Sequence, residues 1–206
     1  MRAVETMVIQ HFLAILMILA GLGLTGGGIV VLLRTSIPTS LPRSNQPEWN
    51  LSSEEKGRMF EDWVVRKFHP STFKIKDWRG DKNVAGISAE SSKLPDLEIE
   101  FLQRDRSATF AVECKWRSSF HYGDKPGIEW ATARQIENYQ EYQRDRGLPV
   151  FAVIGIGGLP DQPAELYVVP LNRLKYPFAT AEYLAKFRQV NVTSNFSYDS
   201  KRSELR

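Results

Sequence analysis

Apolar residues change their spacing several times along this chain, and each change marks an element. Residues 12–33 carry no charge and are nearly all apolar or Gly. Such a run predicts a membrane-spanning helix, because roughly 20 apolar residues at ~1.5 Å rise cross a ~30 Å hydrocarbon core. Residues 34–50, with Pro38, Pro42 and Pro47 among Ser and Asn, predict an extended linker. Ser52 with Glu55 three residues on then forms a capping-box sequence. Met59, Phe60, Trp63, Val64 and Phe68 follow at helical spacing, and His69-Pro70 stops the helix. Residues 72–78 alternate with period two and predict a strand. Residues 79–92 are polar and read as a loop.

Residues 96–102 predict a second strand, 103–107 a polar turn and 109–116 a third strand, hairpin-paired with the second. A loop over 117–127 leads to a helix over 129–146, with Trp130, Ala133, Ile136 and Tyr139 or Gln140 on one face and Gly147 as its C-terminal cap. Residues 149–156 are continuously apolar, the mark of a strand covered on both sides. A strand over 165–169, a short helix over 180–187 and a frayed last dozen residues complete the pattern. The order predicts an α/β fold in which a mixed central sheet lies between helices. The expected organisation is an N-terminal flank 1–11, a transmembrane helix 12–33, a linker 34–50, a folded domain 51–190 and a C-terminal tail 191–206.

Composition narrows this picture. The net charge of +3 and pI of about 9.0 suit a polyanionic partner without demanding one. Cys114 is the single cysteine, which excludes an internal disulfide framework and a CxxC zinc site. Arg34 and Arg43 follow the apolar run, whereas Arg2 before it is offset by Glu5. The positive-inside rule therefore favours a single-pass protein with its C-terminal domain in the cytoplasm. A cleaved signal peptide is the rival, but no A-x-A cleavage pattern follows the run.

The candidate chemistry lies on the second and third strands. Asp96 stands at the start of one, and Glu113-Cys114-Lys115 lies in the other. Side chains alternate along a strand, so Glu113 and Lys115 share a face while Val112 and Cys114 point into a core. A hairpin would bring Asp96, Glu113 and Lys115 together. Mg²⁺ takes oxygen ligands and often uses only one or two carboxylates, so Asp96, Glu113 and the Cys114 carbonyl form a candidate set, with Mn²⁺ as a substitute. Lys115 can orient a water or stabilise charge on a phosphate. The plain alternative is a solvated ion pair on an exposed strand face. Glu98 shares the face of Asp96, as an exposed carboxylate or an accessory ligand.

Pro95-Asp96 and Glu113-Cys114-Lys115 resemble the two halves of the PD-(D/E)xK nuclease motif. The element order is similar to that superfamily's restriction-endonuclease-like αβββαβ core, with Mrr-like and RecB-like nucleases as the nearer branches. The resemblance covers residues 52–156 and implies Mg²⁺-dependent hydrolysis of phosphodiester bonds, with DNA as partner. It also implies a supporting role near the metal for Glu61 on the first helix. Gln135 and Tyr139 match a Q-x-x-x-Y pattern on the helix after the third strand. At i and i+4 they share a helix face. A homodimer is compatible with such a domain. The rival reading is a non-catalytic nucleic-acid-binding or membrane-tethered scaffold domain on the same fold.

Other residues are weaker candidates. Aromatic and basic residues in Trp116–Tyr122 fit either base stacking or packing beneath the loop, and His121 reads as a surface histidine. Gly155-Ile156-Gly157-Gly158 lacks a following GKS/T and reads as a turn.

Overall fold

The computed structural model describes residues 51–79, 83–84, 87–88, 94–103 and 106–206. The expected flank, transmembrane helix and linker over 1–50 lie outside the described residues. Among those described, no helix is long and apolar enough to cross a membrane.

Helix α1 (Ser53–Arg66) starts where its sequence says it should. Ser52 Oγ accepts from Glu55 N and Glu55 Oε2 accepts from Ser52 N, at 3.2 and 2.7 Å. This reciprocal pair satisfies two amide groups that a helix start otherwise leaves bare. Strands β1 (Phe73–Trp78), β4 (Leu97–Gln103) and β5 (Arg106–Arg117) follow, with a two-stranded ribbon of β2 (Asn83–Val84) and β3 (Ile87–Ser88) inside the expected loop. Next come β6 (Gly127–Glu129), helix α2 (Ala133–Arg146), β7 (Val150–Leu159) and β8 (Gln162–Pro170). A 3₁₀ turn (Leu171–Arg173), β9 (Phe178–Thr180), α3 (Ala181–Ala185), β10 (Tyr198–Asp199) and β11 (Glu204–Leu205) complete the chain.

Five strands form one mixed sheet in the order β1-β4-β5-β7-β8. Its β5–β7 pair is parallel and the other three are antiparallel. A parallel pair needs a crossover, and α2 supplies it. β1 carries a register shift between Ile75 and Asp77. On the far side, Val168 N donates to Phe187 O and Gln189 N to Leu166 O, laying residues 187–189 along β8.

Alternation along the strands builds two cores. Leu97, Ile99, Val112, Cys114, Phe151 and Val153 pack with Phe60 and Val64 of α1. Ala111, Val150, Ala152 and Ile154 pack with Ile136, Tyr139 and Tyr142 of α2. The continuous apolar run of β7 is thus buried on both faces, as its sequence requires. A Cβ at Gly155 would lie 2.4 Å from Phe60 Cε2, so the glycine makes room for that ring.

Beyond the ribbon in the expected loop and the earlier start of β5, at Arg106, three regions differ from expectation. The long helix begins at Ala133, not at 129, because Thr132 and Gln135 form a capping box there. Gly127–Glu129 instead pairs antiparallel with Phe178–Thr180. Consequently Trp130 precedes the helix, fully buried, with its indole N–H donating to Tyr176 O at 2.8 Å. The last dozen residues are packed: Phe196, Tyr198 and Leu205 are buried in the α1-side core, and β10 pairs with β11.

Candidate active site

Asp96 is placed by its neighbours before it does anything. Leu97 pairs with Val112 in the β4–β5 ladder, so one step back sets Asp96 beside Glu113. Arg79, just after β1, fixes this entry from two directions. Its backbone N–H donates to Asp96 O at 2.8 Å and its guanidinium to Pro95 O at 2.9 Å. Asp96 Oδ2 in turn accepts from Cys114 N at 2.8 Å. The carboxylate is thereby tied to the strand that carries the other two candidates.

Glu113 and Lys115 point to the α2 side of β5. Glu113 is 1% exposed, far from the solvated strand face of the plain alternative. Tyr139 reaches down from α2 and donates its hydroxyl to Glu113 Oε1 at 2.6 Å. The Lys115 ammonium bonds the same oxygen. Glu61, Asp96, Glu113, Lys115, Gln135 and Tyr139 all line one cleft of about 520 Å³. α1 and α2 cover opposite faces of the sheet, so the cleft draws on both helical layers. Gln135 holds a double position: it lines the cleft while its amide oxygen accepts from Thr132 N at 3.0 Å, closing the α2 capping box.

Charges of both signs line the cleft, Glu61, Asp96 and Glu113 against Lys56, Lys115 and Arg117. Burial raises the Cys114 thiol well above its usual range, and Asp96, Glu61 and Glu113 each raise it further. Lys115 alone works against them. For Lys115 itself, burial pulls the ammonium down, but Glu113 and Asp96 outweigh it and leave its pKa raised. It is therefore a fixed positive charge and not a base. Burial raises the Tyr139 hydroxyl, with Glu113 adding to it, so it remains a donor.

The other candidates fall differently. Glu98 is 6% exposed and serves neither as a surface carboxylate nor as a lining residue of the cleft. It accepts from Tyr142 Oη at 2.8 Å and from Arg146 at 3.1 Å, with Arg79 at 3.7 Å. Arg117, in the loop expected to stack bases or pack, donates to Glu129 O and Trp130 O. Trp116 and Phe120 are half-buried against the cores, His121 is exposed, and Tyr122 is 85% exposed. Gly155–Gly158, expected as a turn, instead lies within β7, where Gly157 and Gly158 have positive φ and the pairing with β8 runs on to Leu159.

Arg79, Tyr142 and Arg146 are supporting residues that the sequence reading missed. A signal existed on α2: Gln135, Tyr139, Tyr142 and Arg146 recur at i, i+4, i+7 and i+11, one continuous helix face. That face meets Glu113 and Glu98 on the sheet.

Neither a family model nor a curated protein matches this chain. Among solved structures it is similar to Hjc from Archaeoglobus fulgidus, a Holliday junction resolvase from an archaeal hyperthermophile. The two are 16% identical with a TM-score of 0.42, over 63% of this chain and 93% of that one.

Proposed function

We propose that this chain is a divalent-metal-dependent nuclease that hydrolyses phosphodiester bonds of DNA. In this reading its domain is restriction-endonuclease-like, of PD-(D/E)xK type, and residues 12–33 hold it at a membrane. The observation that carries the reading is the meeting of Asp96, Glu113 and Lys115 in one cleft with Glu61. Asp96 and Glu113 are buried side by side on adjacent strands, a pair of oxygen donors of the kind a hard cation takes.

The donor set fits a hard cation. Among the described residues no group of three or more His, Cys, Asp or Glu side chains is arranged to hold a metal. Mg²⁺ commonly uses one or two protein carboxylates, and water and phosphate oxygens complete its six ligands. Asp96, Glu113 and the Cys114 carbonyl would hold it, with Mn²⁺ as a substitute. When bound, the metal supplies positive charge to the scissile phosphate and acidifies an attacking water. Lys115, kept protonated, stabilises the charge that develops on the phosphate oxygens. Tyr139 holds the Glu113 carboxylate and Cys114 N the Asp96 carboxylate, Arg79 fixes the backbone at Pro95 and Asp96, and Glu61 adds negative potential from α1.

The purified chain should cut plasmid or linear DNA with Mg²⁺ or Mn²⁺. EDTA should stop it. Asp96→Ala or Lys115→Ala should lower turnover at least ~10²-fold, as loss of a transition-state charge contact does. Turnover that survives both substitutions would sink the site assignment. DNA affinity without turnover under either metal would favour the non-catalytic domain. Recovery of the chain in the soluble fraction would remove the membrane element alone.

A further inference from the structure

A second cavity of about 520 Å³, as large as the catalytic cleft, lies along β9 and the 3₁₀ turn before it. Arg173, Lys175, Tyr176 and Phe178 line it, backed by Thr180 and Tyr183. Tyr176 is 75% exposed and Phe178 45%, the latter with one edge of its ring over Gly127 and the rest open. Their neighbours do not share that freedom. The Tyr183 hydroxyl donates to Arg173 O at 2.7 Å, and the Lys186 ammonium sits 5.5 Å from the Tyr183 ring centroid. Tyr183 is thus a fixed wall, whereas Tyr176 presents its ring to solvent. Among the described residues no acidic side chain lines the cavity, and Glu129 and Glu182 of the adjoining β6 and α3 stay outside it.

Open aromatic rings beside cations, with no carboxylate, match the chemistry of an unpaired nucleotide. Bases stack on rings whatever their identity, and phosphates take Arg or Lys. The cavity also has a structural route to the cleft. Arg117 lines the cleft and donates to Glu129 O, and Glu129 pairs with Phe178 across the β6–β9 ribbon. One strand spacing of ~4.8 Å and one arginine side chain therefore link a residue of one lining to a residue of the other. The ribbon itself is firmly seated, by Trp130 N donating to Pro177 O at 3.0 Å and Ala181 N to Pro126 O at 2.8 Å.

We infer that this cavity is a second contact site for single-stranded nucleic acid, in which Tyr176 and Phe178 stack unpaired bases while Arg173 and Lys175 take phosphates. The inference rests on the nuclease reading for its biological sense, but its test does not. Binding of a labelled oligothymidine and of a duplex of equal length to the full chain in EDTA can be followed by fluorescence anisotropy. Tyr176→Ala and Lys175→Glu should each weaken single-strand binding about tenfold, the loss expected for one stacking or phosphate contact, and change duplex binding little. Neither exposed side chain supports the fold: Tyr176 holds Trp130 through its backbone carbonyl, which alanine retains. Single-strand affinity unchanged in both variants overturns the site, as does equal loss on single strand and duplex. Tyr176-dependent binding in a chain that never turns over DNA would support this site and remove the nuclease reading. Turnover with Tyr176-independent binding would do the reverse.

Discussion

Two donors of different character hold one oxygen of Glu113: a neutral hydroxyl from Tyr139 and the ammonium of Lys115. The tyrosine carries no charge, so in the proposed reaction its role would be to aim and restrain the carboxylate. Tyr139→Phe should therefore lower turnover, and should destabilise the fold by about 1–3 kcal/mol, because a buried carboxylate loses a donor. Urea midpoints and cleavage rates measured on one preparation would check both, and an unchanged midpoint would show that Glu113 does not depend on this bond. At this scale the sequence was legible where chemistry is local. Period-two alternation places Glu113 and Lys115 on one face, and the structure puts them there, facing α2. Arg79 was invisible because its partners, Pro95 and Asp96, lie across a polar segment with no periodicity.

Elements were legible in proportion to how much of their stabilisation is internal. The α1 capping box and the Gly147 terminus of α2, in the left-handed region, are written in adjacent residues and stand as read. β6 was not legible: three residues cannot show a period, and its partner β9 lies some 50 positions further on. Without that partner, the run from 129 onward looks helical. Contact between α1 and the sheet is equally non-local, since Phe60 packs over Gly155. Phe60 is 1% exposed and stacks with Trp63, so it has little room to retreat. Gly155→Ala should cost about 1–3 kcal/mol by overpacking, and Phe60→Leu in the same chain should recover part of that loss. A double-mutant cycle on chemical unfolding checks it; strictly additive effects would show that the two residues do not share the space.

Over the whole domain, the carboxyl-terminal residues join the first helix. Lys67, 5% exposed, donates its ammonium to Val192 O and Ser194 O and lies 4.6 Å from the Trp63 ring centroid. Burial pushes this ammonium down to about 8 from its ordinary 10.5. Between those two pH values the unfolded chain binds more protons at this position than the folded chain does. Stability should therefore rise with pH across that window, by up to about 1.4 kcal/mol per unit, and level off above it. Urea unfolding of the wild type and Lys67→Met at about pH 7.5 and about pH 9.5 isolates the effect, since only the wild type should gain from it. Equal pH dependence in the two chains would show that the ammonium is no harder to bury than to expose.

The register shift in β1 and the segment at 187–189 together limit what the sheet can become. β1 is one outer strand; it is kinked between Ile75 and Asp77 and exposes Lys74 and Lys76. β8 is the other, and backbone bonds from residues 187–189 already occupy its outer side. A long, flat, apolar edge invites another chain to add a strand, and neither border here offers one. A second copy of this domain would therefore find helices and loops better surfaces to meet than either border of the sheet.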